Sequence, residues 1–247
     1  MNDLLDTLIF PDWPVPASVR AASTTRRGGV SNSPHDSLNL GYHPEDDVDK
    51  VTENRRRLAR ALDLPQEPVW LKQVHGRNVV DATQISASAE ADASFARHAG
   101  VVCVVMTADC LPVLLCNRAG TCVAAVHAGW RGLANGVIGA TVEHMECAPE
   151  DLIAWLGPAI GADVFEVGEE VYTAFLALDE GNAVCFRPSP RGRWLANIYE
   201  LARRQLRALG ITMLFGGGWC TLTESEKFFS YRRDGSSGRM ASLIWLA

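Results

Sequence analysis

Three residues carry the side chains best suited to chemistry: His75, Cys110 and His127. Each closes a predicted strand beside a glycine or a polar turn. Two imidazole nitrogens and one thiolate match a borderline-soft metal such as zinc. Three protein ligands leave a fourth position for water or substrate, which is the catalytic pattern rather than the closed structural one. Taken singly, each has a plainer reading. Free cysteine is among the most buried residue types, and a lone histidine is commonly structural. The Cys110–His127 pair also reads as a nucleophile and its base, an acyl-transfer device, with Asp109 or Gln73 orienting the imidazole.

The stretch from Val101 to Gly132, VVCVVMTADCLPVLLCNRAGTCVAAVHAGWRG, must position two of the three. It predicts strands over Val101–Met106, Leu111–Cys116 and Thr121–Val126. The turn Thr107-Ala108-Asp109 separates the first two, and the loop Asn117-Arg118-Ala119-Gly120 separates the last two. Apolar runs bounded by Asn/Gly turn chemistry are hairpin signals. If Cys116 faces Thr121 across the loop, the antiparallel register puts Cys110 opposite His127, within the Cβ spacing of directly opposed residues. A bulge would shift that register.

Elsewhere the pattern is as follows. Residues 1–20, with Pro11, Pro14 and Pro16 around Trp13, read as an extended lead-in. Ala21–Asp47 reads as a long loop, and loops of this length in compact domains are usually functional or disordered. Arg26, Asn39 and His43 are its candidate site residues. A helix is predicted over Asp47–Leu62, with Val51, Leu58 and Leu62 inward and Arg55-Arg56-Arg57 on a solvated face. Pro68–Val74 reads as a strand delivering His75-Gly76, and Arg77–Asp81 as its continuation. Gln84–Ala99 is small and polar, and its ADA segment, with Asp92, reads as a tight loop near the site. Helices are predicted over Gly132–Met145, Glu166–Leu178 and Ile198–Leu209. Strands are predicted over Leu152–Leu156, Ile211–Phe215, Lys227–Arg232 and Met240–Leu246. Arg187–Trp194 reads as a loop. With no internal repeat and no low-complexity linker, residues 1–247 read as one domain.

Composition narrows the function classes. The chain has 247 residues, 47% hydrophobic and 21% charged, which supports a globular core. A net charge of −6 argues against a nucleic-acid binder held by phosphate neutralisation. No basic region followed by a long apolar run opens the chain, so no secretory signal is read. No apolar stretch reaches the roughly 18 residues of a membrane span. The seven cysteines are odd in number, lack a CxxC pair and sit mostly in apolar runs. Free thiols in a reducing cytoplasm are expected.

LKQVHG (Leu71–Gly76), TADCLPVLL (Thr107–Leu115), AVHAGWRG (Ala125–Gly132) and FFSYRRDGSSGRMASLIWL (Phe228–Leu246) resemble the bacterial YfiH-like family. It is also called the multicopper polyphenol oxidase, or laccase-domain, family. TTRRGGVS…SLNLGYH (Thr24–His43), GPAIG (Gly157–Gly161) and FEV (Phe165–Val167) are similar to it too. The resemblance runs essentially end to end. It implies an α+β fold layered α/β/β/α, shared with a cysteine-hydrolase toxin domain. It also implies a metal triad on His75, Cys110 and His127. One departure is Asn197, in WLANIYEL, where the family favours Asp.

The resemblance also implies an activity. Family members are associated with phosphorolysis of purine nucleosides (adenosine, inosine, guanosine, methylthioadenosine) and with adenosine deamination. Copper-dependent polyphenol oxidation and editing of peptidoglycan precursors are further associations. Six histidines and no His-x-His pair fall short of the ligands for four coppers, although copper could occupy the triad. The zinc deaminase signature, H-x-E followed by P-C-x-x-C, is absent. The expectation is a zinc-dependent purine nucleoside enzyme taking a nucleoside and phosphate. Arg131, Arg232 and Arg26 are phosphate candidates, because guanidinium matches phosphate oxygens bidentately. Arg131 sits near the start of the Gly132 helix, where backbone N–H groups favour anions. Tyr231 and Trp130 are candidates to stack on a purine. Alternatives are a Cys110–His127 amidase and a binding protein with a structural metal.

Overall fold

The apolar run ending at Thr107 does not pair with the run that follows it. The two diverge at Ala108–Cys110 into different sheets, and that split builds the site. In this computed structural model the described residues are 4–42, 46–85 and 88–247. His43 lies outside them. The chain forms β1 (Val19–Ser23), α1 (Val48–Ala61), β2 (Val79–Asp81), β3 (Ala93–Ala96), β4 (Val102–Thr107), β5 (Leu111–Asn117) and β6 (Val123–Ala128). Then come α2 (Trp130–Ala134), α3 (Val137–Met145), β7 (Leu152–Leu156), β8 (Glu166–Val167), α4 (Glu169–Leu178), β9 (Phe186–Pro188) and β10 (Trp194–Ala196). The chain closes with α5 (Ile198–Ala208), β11 (Met213–Gly216), α6 (Tyr231–Asp234) and β12 (Met240–Leu246).

An antiparallel sheet runs β1-β12-β4, and a mixed sheet runs β11-β7-β5-β6-β3-β2. A small third sheet joins β8, β10 and β9. The alternation of side chains along a strand assigns each residue to a layer. Val102 and Val104 pack with Leu58 of α1, while Cys103 and Val105 face the other sheet. Leu114 and Cys116 meet them there, and Val113 and Leu115 pack under the far helices with Val137, Ile138 and Leu206. The order of layers is therefore helix, sheet, sheet, helix, in an α+β fold. Both large sheets are buried on both faces, which is why their strands read as nearly continuous apolar runs. Among the described residues, no helix is long and apolar enough to cross a membrane.

Several expectations hold with local causes. Helix α1 starts at Asp47, whose side chain accepts from the Asp49 N–H, and its cap falls at Leu62. All seven cysteines are free thiols.

Others are corrected. The predicted helix over Gly132–Met145 is two helices. Asn135 closes α2, and Gly136 turns at φ +81°, a left-handed conformation that glycine adopts without steric cost. Lys227–Arg232 is not a strand. The Ser230 hydroxyl accepts from the Arg233 N–H and starts the helical turn α6, while Phe228 and Phe229 bury against Met240. Pro68–Val74 is extended but, among the described residues, makes only isolated bridges, at Val69 and Lys72. Gln84–Ala99 contains β3, whose small residues pair with β6. Strand β1 takes Ala21–Ser23 out of the predicted long loop, and Glu166-Val167 is strand rather than helix. The predicted loop Arg187–Trp194 is shorter: Arg187 and Pro188 belong to β9 and Trp194 to β10, and residues 189–193 link them.

The hairpin register is corrected as well. Cys116 pairs with Val123 and Pro112 with His127. The Asn117 amide causes the shift. Its oxygen accepts from the Thr121 and Cys122 N–H groups, and its nitrogen donates to the Thr121 hydroxyl. The loop therefore closes two residues later than expected. A shift of two preserves the facing side, so Cys110 and His127 still point the same way, offset diagonally.

Candidate active site

His127 continues the row Val123–Ala125 that faces the inter-sheet layer and occupies its open end. Cys110 precedes β5 where the chain crosses between sheets. His75 arrives from the loop after the isolated bridge at Lys72, with its backbone at φ +59°. That left-handed conformation is uncommon for a residue with a side chain. The Cys110 Sγ lies 3.8 Å from His75 Nε2, and the two imidazole rings meet edge-on with centroids 4.8 Å apart. The three ligand atoms lie within 4.8 Å of one another. His127 is buried, Cys110 half-buried and His75 exposed, so the cluster opens on one side.

Beneath the cluster lies Asp92, wholly buried. Its Oδ1 is 2.8 Å from His127 Nδ1 and accepts from the His75 N–H at 2.9 Å. Its Oδ2 accepts from Gly76 at 2.7 Å and from Val74 at 3.3 Å. With Nδ1 engaged, His127 presents Nε2 to the cluster.

The electrostatics follow from these contacts. Burial penalises the Cys110 thiolate, but the imidazoles of His127 and His75 more than offset it and hold the thiol well below its ordinary range. Burial also opposes a charged His127, yet Cys110 and Asp92 hold its pKa above the usual histidine value. Burial works against the Asp92 carboxylate too. Hydrogen bonds from His127 and from the Gly76 and His75 amides keep it below the ordinary carboxylate range. By contrast, burial pushes Cys103 and Cys116 up to about 12.

The donor set fits a transition metal. Typical Zn–N and Zn–S bonds imply ligand–ligand spacings of about 3.5 Å in a tetrahedral site, close to the Cys110–His75 separation. Gly129 supplies the space, because a Cβ there would stand 2.9 Å from Cys110 Sγ and 3.2 Å from the His75 ring. Among the described residues, this is the one cluster of three or more such ligand groups.

The cluster lies in a cleft of about 630 Å³. Asn39, Gln73, Arg131, Tyr231 and Arg232 all line it; Arg26 does not. The Arg26 guanidinium reaches Asp36 and the Ser225 carbonyl instead. Asn39 is on the wall with its amide fully engaged: it donates to Gly41 and Asp46 and accepts from the Gly41 and Arg239 N–H groups. Gln73 exchanges both amide bonds with the Met106 backbone, so it pins the His75 loop to β4 and is not placed to orient an imidazole. Asp109 is held by the Thr221 hydroxyl and the Arg232 N–H. The carboxylate on the histidine is Asp92, which the sequence placed only in the vicinity.

The two arginines expected in the cleft differ in their surroundings. Arg131 lies over the Trp130 ring, at the start of a helix of five residues rather than a long one. Arg232 donates to the Glu166 carbonyl and lies over Phe165. Arg239 also lines the cleft and was missed. Its guanidinium donates to the Ser237 and Gly238 carbonyls, and its place just after the SSG turn gave no sign of direction.

Residues 20–247 match the family described as multi-copper polyphenol oxidoreductase laccase. Over 243 residues the chain is 56% identical to a Shigella flexneri protein named purine nucleoside phosphorylase YfiH, covering 98% of this chain and 100% of that one. It is 53% identical to a Pseudomonas aeruginosa protein named a purine nucleoside phosphorylase, covering 98% and 99%. A crystal structure of a Neisseria meningitidis protein superposes with a TM-score of 0.94 at 48% identity, covering 97% of this chain and 99% of that one. The chain belongs to the YfiH-like, laccase-domain family. The fold expected of a YfiH-like protein is the fold observed. The three residues on which the resemblance puts a metal triad are the three that converge here.

Proposed function

We propose that this YfiH-like protein is a purine nucleoside phosphorylase that works with a metal, zinc in the first place and copper as an alternative, held by His75, Cys110 and His127. The observation that carries this reading is the position of the cluster. It sits in a cleft where Arg131, Arg232 and Arg239 converge with Trp130, Phe165 and Tyr231. Cations suit phosphate and aromatic faces suit a purine. Full-length relatives that carry the phosphorylase name support it.

On this reading residues 1–247 act as one domain, in the cytoplasm, where the seven thiols stay reduced. The arginines hold phosphate, and the ring walls hold the base. A phosphate oxygen attacks C1′ of the ribose. The glycosidic bond breaks, its electron pair goes to the base nitrogen, and that nitrogen gains a proton through solvent, balanced by the proton that the attacking hydrogen phosphate gives up. The products are the free base and ribose 1-phosphate. Adenosine, inosine, guanosine and methylthioadenosine are the substrates proposed, with hydrolytic deamination of adenosine as a further activity of the cleft. The bound ion supplies Lewis acidity in the cleft.

The test is to incubate metal-defined protein with adenosine or inosine, with and without phosphate. Phosphate-dependent release of free base with an equal amount of ribose 1-phosphate supports the reading. Absence of both products from loaded protein overturns it.

One observation favours a second reading. Cys110, His127 and Asp92 form a thiol–imidazole–carboxylate series, with Asp92 on Nδ1. Such a series supports a Cys-nucleophile amidase acting on peptidoglycan precursors. Chelation separates the two, since it should abolish phosphorolysis and spare an amidase.

A further inference from the structure

We propose that Asp92 is the positioning residue of the metal site, setting the tautomer of His127 and the backbone turn of His75 with a single carboxylate. The inference rests on the reading that His75, Cys110 and His127 hold a metal.

The two ligands reach the site by unrelated routes. His127 lies near the end of a strand in the middle of a sheet, while His75 rides on a loop in a left-handed conformation that an L-residue seldom adopts. Three successive N–H groups, of Val74, His75 and Gly76, converge on Asp92. Consecutive amides around a left-handed residue form an anion-binding concavity. Here the anion belongs to the protein. Asp92 is itself fixed at both ends of its backbone: its N–H donates to the Asn78 carbonyl, and its carbonyl accepts from the His127 N–H at 2.7 Å. The carboxylate therefore has little freedom, and both histidines inherit its position.

The oxygens divide the work. Oδ1 accepts from His127 Nδ1 and from the His75 amide; Oδ2 accepts from Gly76 and Val74. All the groups facing Asp92 are donors, so the side-chain amide of an Asp92→Asn variant fails in either orientation. With its nitrogen at the Oδ1 position, that amide would meet the His75 N–H and force the His127 proton onto Nε2, the ligand atom. With its nitrogen at the Oδ2 position, it would meet the Gly76 N–H and loosen the turn that carries His75. Partners of this kind to ligating histidines change metal affinity by about 10- to 100-fold.

The experiment uses full-length protein and Co²⁺ as a spectroscopic probe. Wild-type and Asp92→Asn proteins, checked for fold by circular dichroism, are titrated with Co²⁺. The thiolate-to-cobalt and d–d bands give affinity and geometry. Expected is a 10- to 100-fold weaker affinity in the variant and a changed d–d band, with the thiolate band retained because Cys110 does not touch Asp92. Should the variant not fold, the zinc-loaded wild type decides alone by ¹⁵N NMR of its histidines. A proton on His127 Nδ1, with Nε2 shifted by metal, supports the inference; metal on Nδ1 overturns it. Equal cobalt affinity and an identical spectrum in the variant also overturn it, with the metal reading intact. Wild type that takes up no cobalt would overturn the metal reading itself, and the inference with it.

Discussion

Cys110 and Gly129 stand so close that the missing side chain of one is the working space of the other. A Cβ built on Gly129 would lie 2.9 Å from Cys110 Sγ. Gly129 has φ −62° and ψ 159°, where alanine is as comfortable as glycine. The backbone does not require glycine here; the site does. Gly129→Ala should leave the fold intact and crowd the thiolate. Overpacking costs about 1–3 kcal/mol, so metal affinity should weaken roughly 5- to 150-fold, read by competition with a chromogenic chelator. Unchanged affinity would mean that the ion does not sit beside Cys110.

Thiol reactivity should vary sharply with position. In metal-stripped protein the Cys110 pKa is lowered, so its thiolate persists at pH values where a free thiol, near 8.5, is protonated. Alkylation at Cys110 should therefore slow only as pH falls below that depressed value. Burial holds Cys103 and Cys116 at about 12 and Cys185 at about 11, so these stay protonated and unreactive at neutral pH. Mass mapping after brief iodoacetamide treatment should find Cys110 labelled first, and protected by one equivalent of zinc. An inflection in the ordinary thiol range would contradict the geometry.

The arginines should separate by function. Arg232→Ala removes a guanidinium from the cleft. A hydrogen bond to a charged group is worth about 1.5–3 kcal/mol, so KM for phosphate should rise roughly 10- to 100-fold, with a smaller change for the nucleoside. Arg26→Ala should leave both constants near wild type and lower the urea midpoint, because its guanidinium ties Asp36 and the Ser225 carbonyl together. Steady-state kinetics in both substrates checks the pair.

Asn197 should prove structural. Its side chain caps α5 by accepting from the Glu200 N–H at 3.1 Å. Asn197→Ala should cost about 1 kcal/mol, whereas Asn197→Asp should keep the cap and gain slightly from the helix dipole. Urea midpoints measure both. A large loss of kcat in Asn197→Asp would contradict a purely capping role.

How much was legible depended on how local each cause was. The apolar runs Leu111–Cys116 and Thr121–Val126 announced strands, but a run buried on both faces does not say which side meets the other sheet. The stripe Val51, Leu58 and Leu62 announced helix α1, and Asp47 caps its start through a contact between near neighbours. The hairpin register depended on how many bonds the Asn117 amide would make, which residue type does not reveal. Strand β3 was hidden because Ala93, Ser94 and Ala96 are too small to mark a pattern. The bond from Asp92 to His127 joins residues far apart in sequence, and no spacing rule reaches it. Arg26 and Arg239 show the same limit from both sides. Residue type nominated the first and overlooked the second, and only the fold determines which one faces the cleft.

The most direct measurement titrates metal-free protein with zinc and follows phosphorolysis of inosine. With catalysis dependent on an ion at His75, Cys110 and His127, the rate should rise linearly and break at one equivalent per chain, and Cys110→Ala should stay inactive throughout. Full activity before any metal is added, or a Cys110→Ala protein that reaches the wild-type rate, would contradict the assignment.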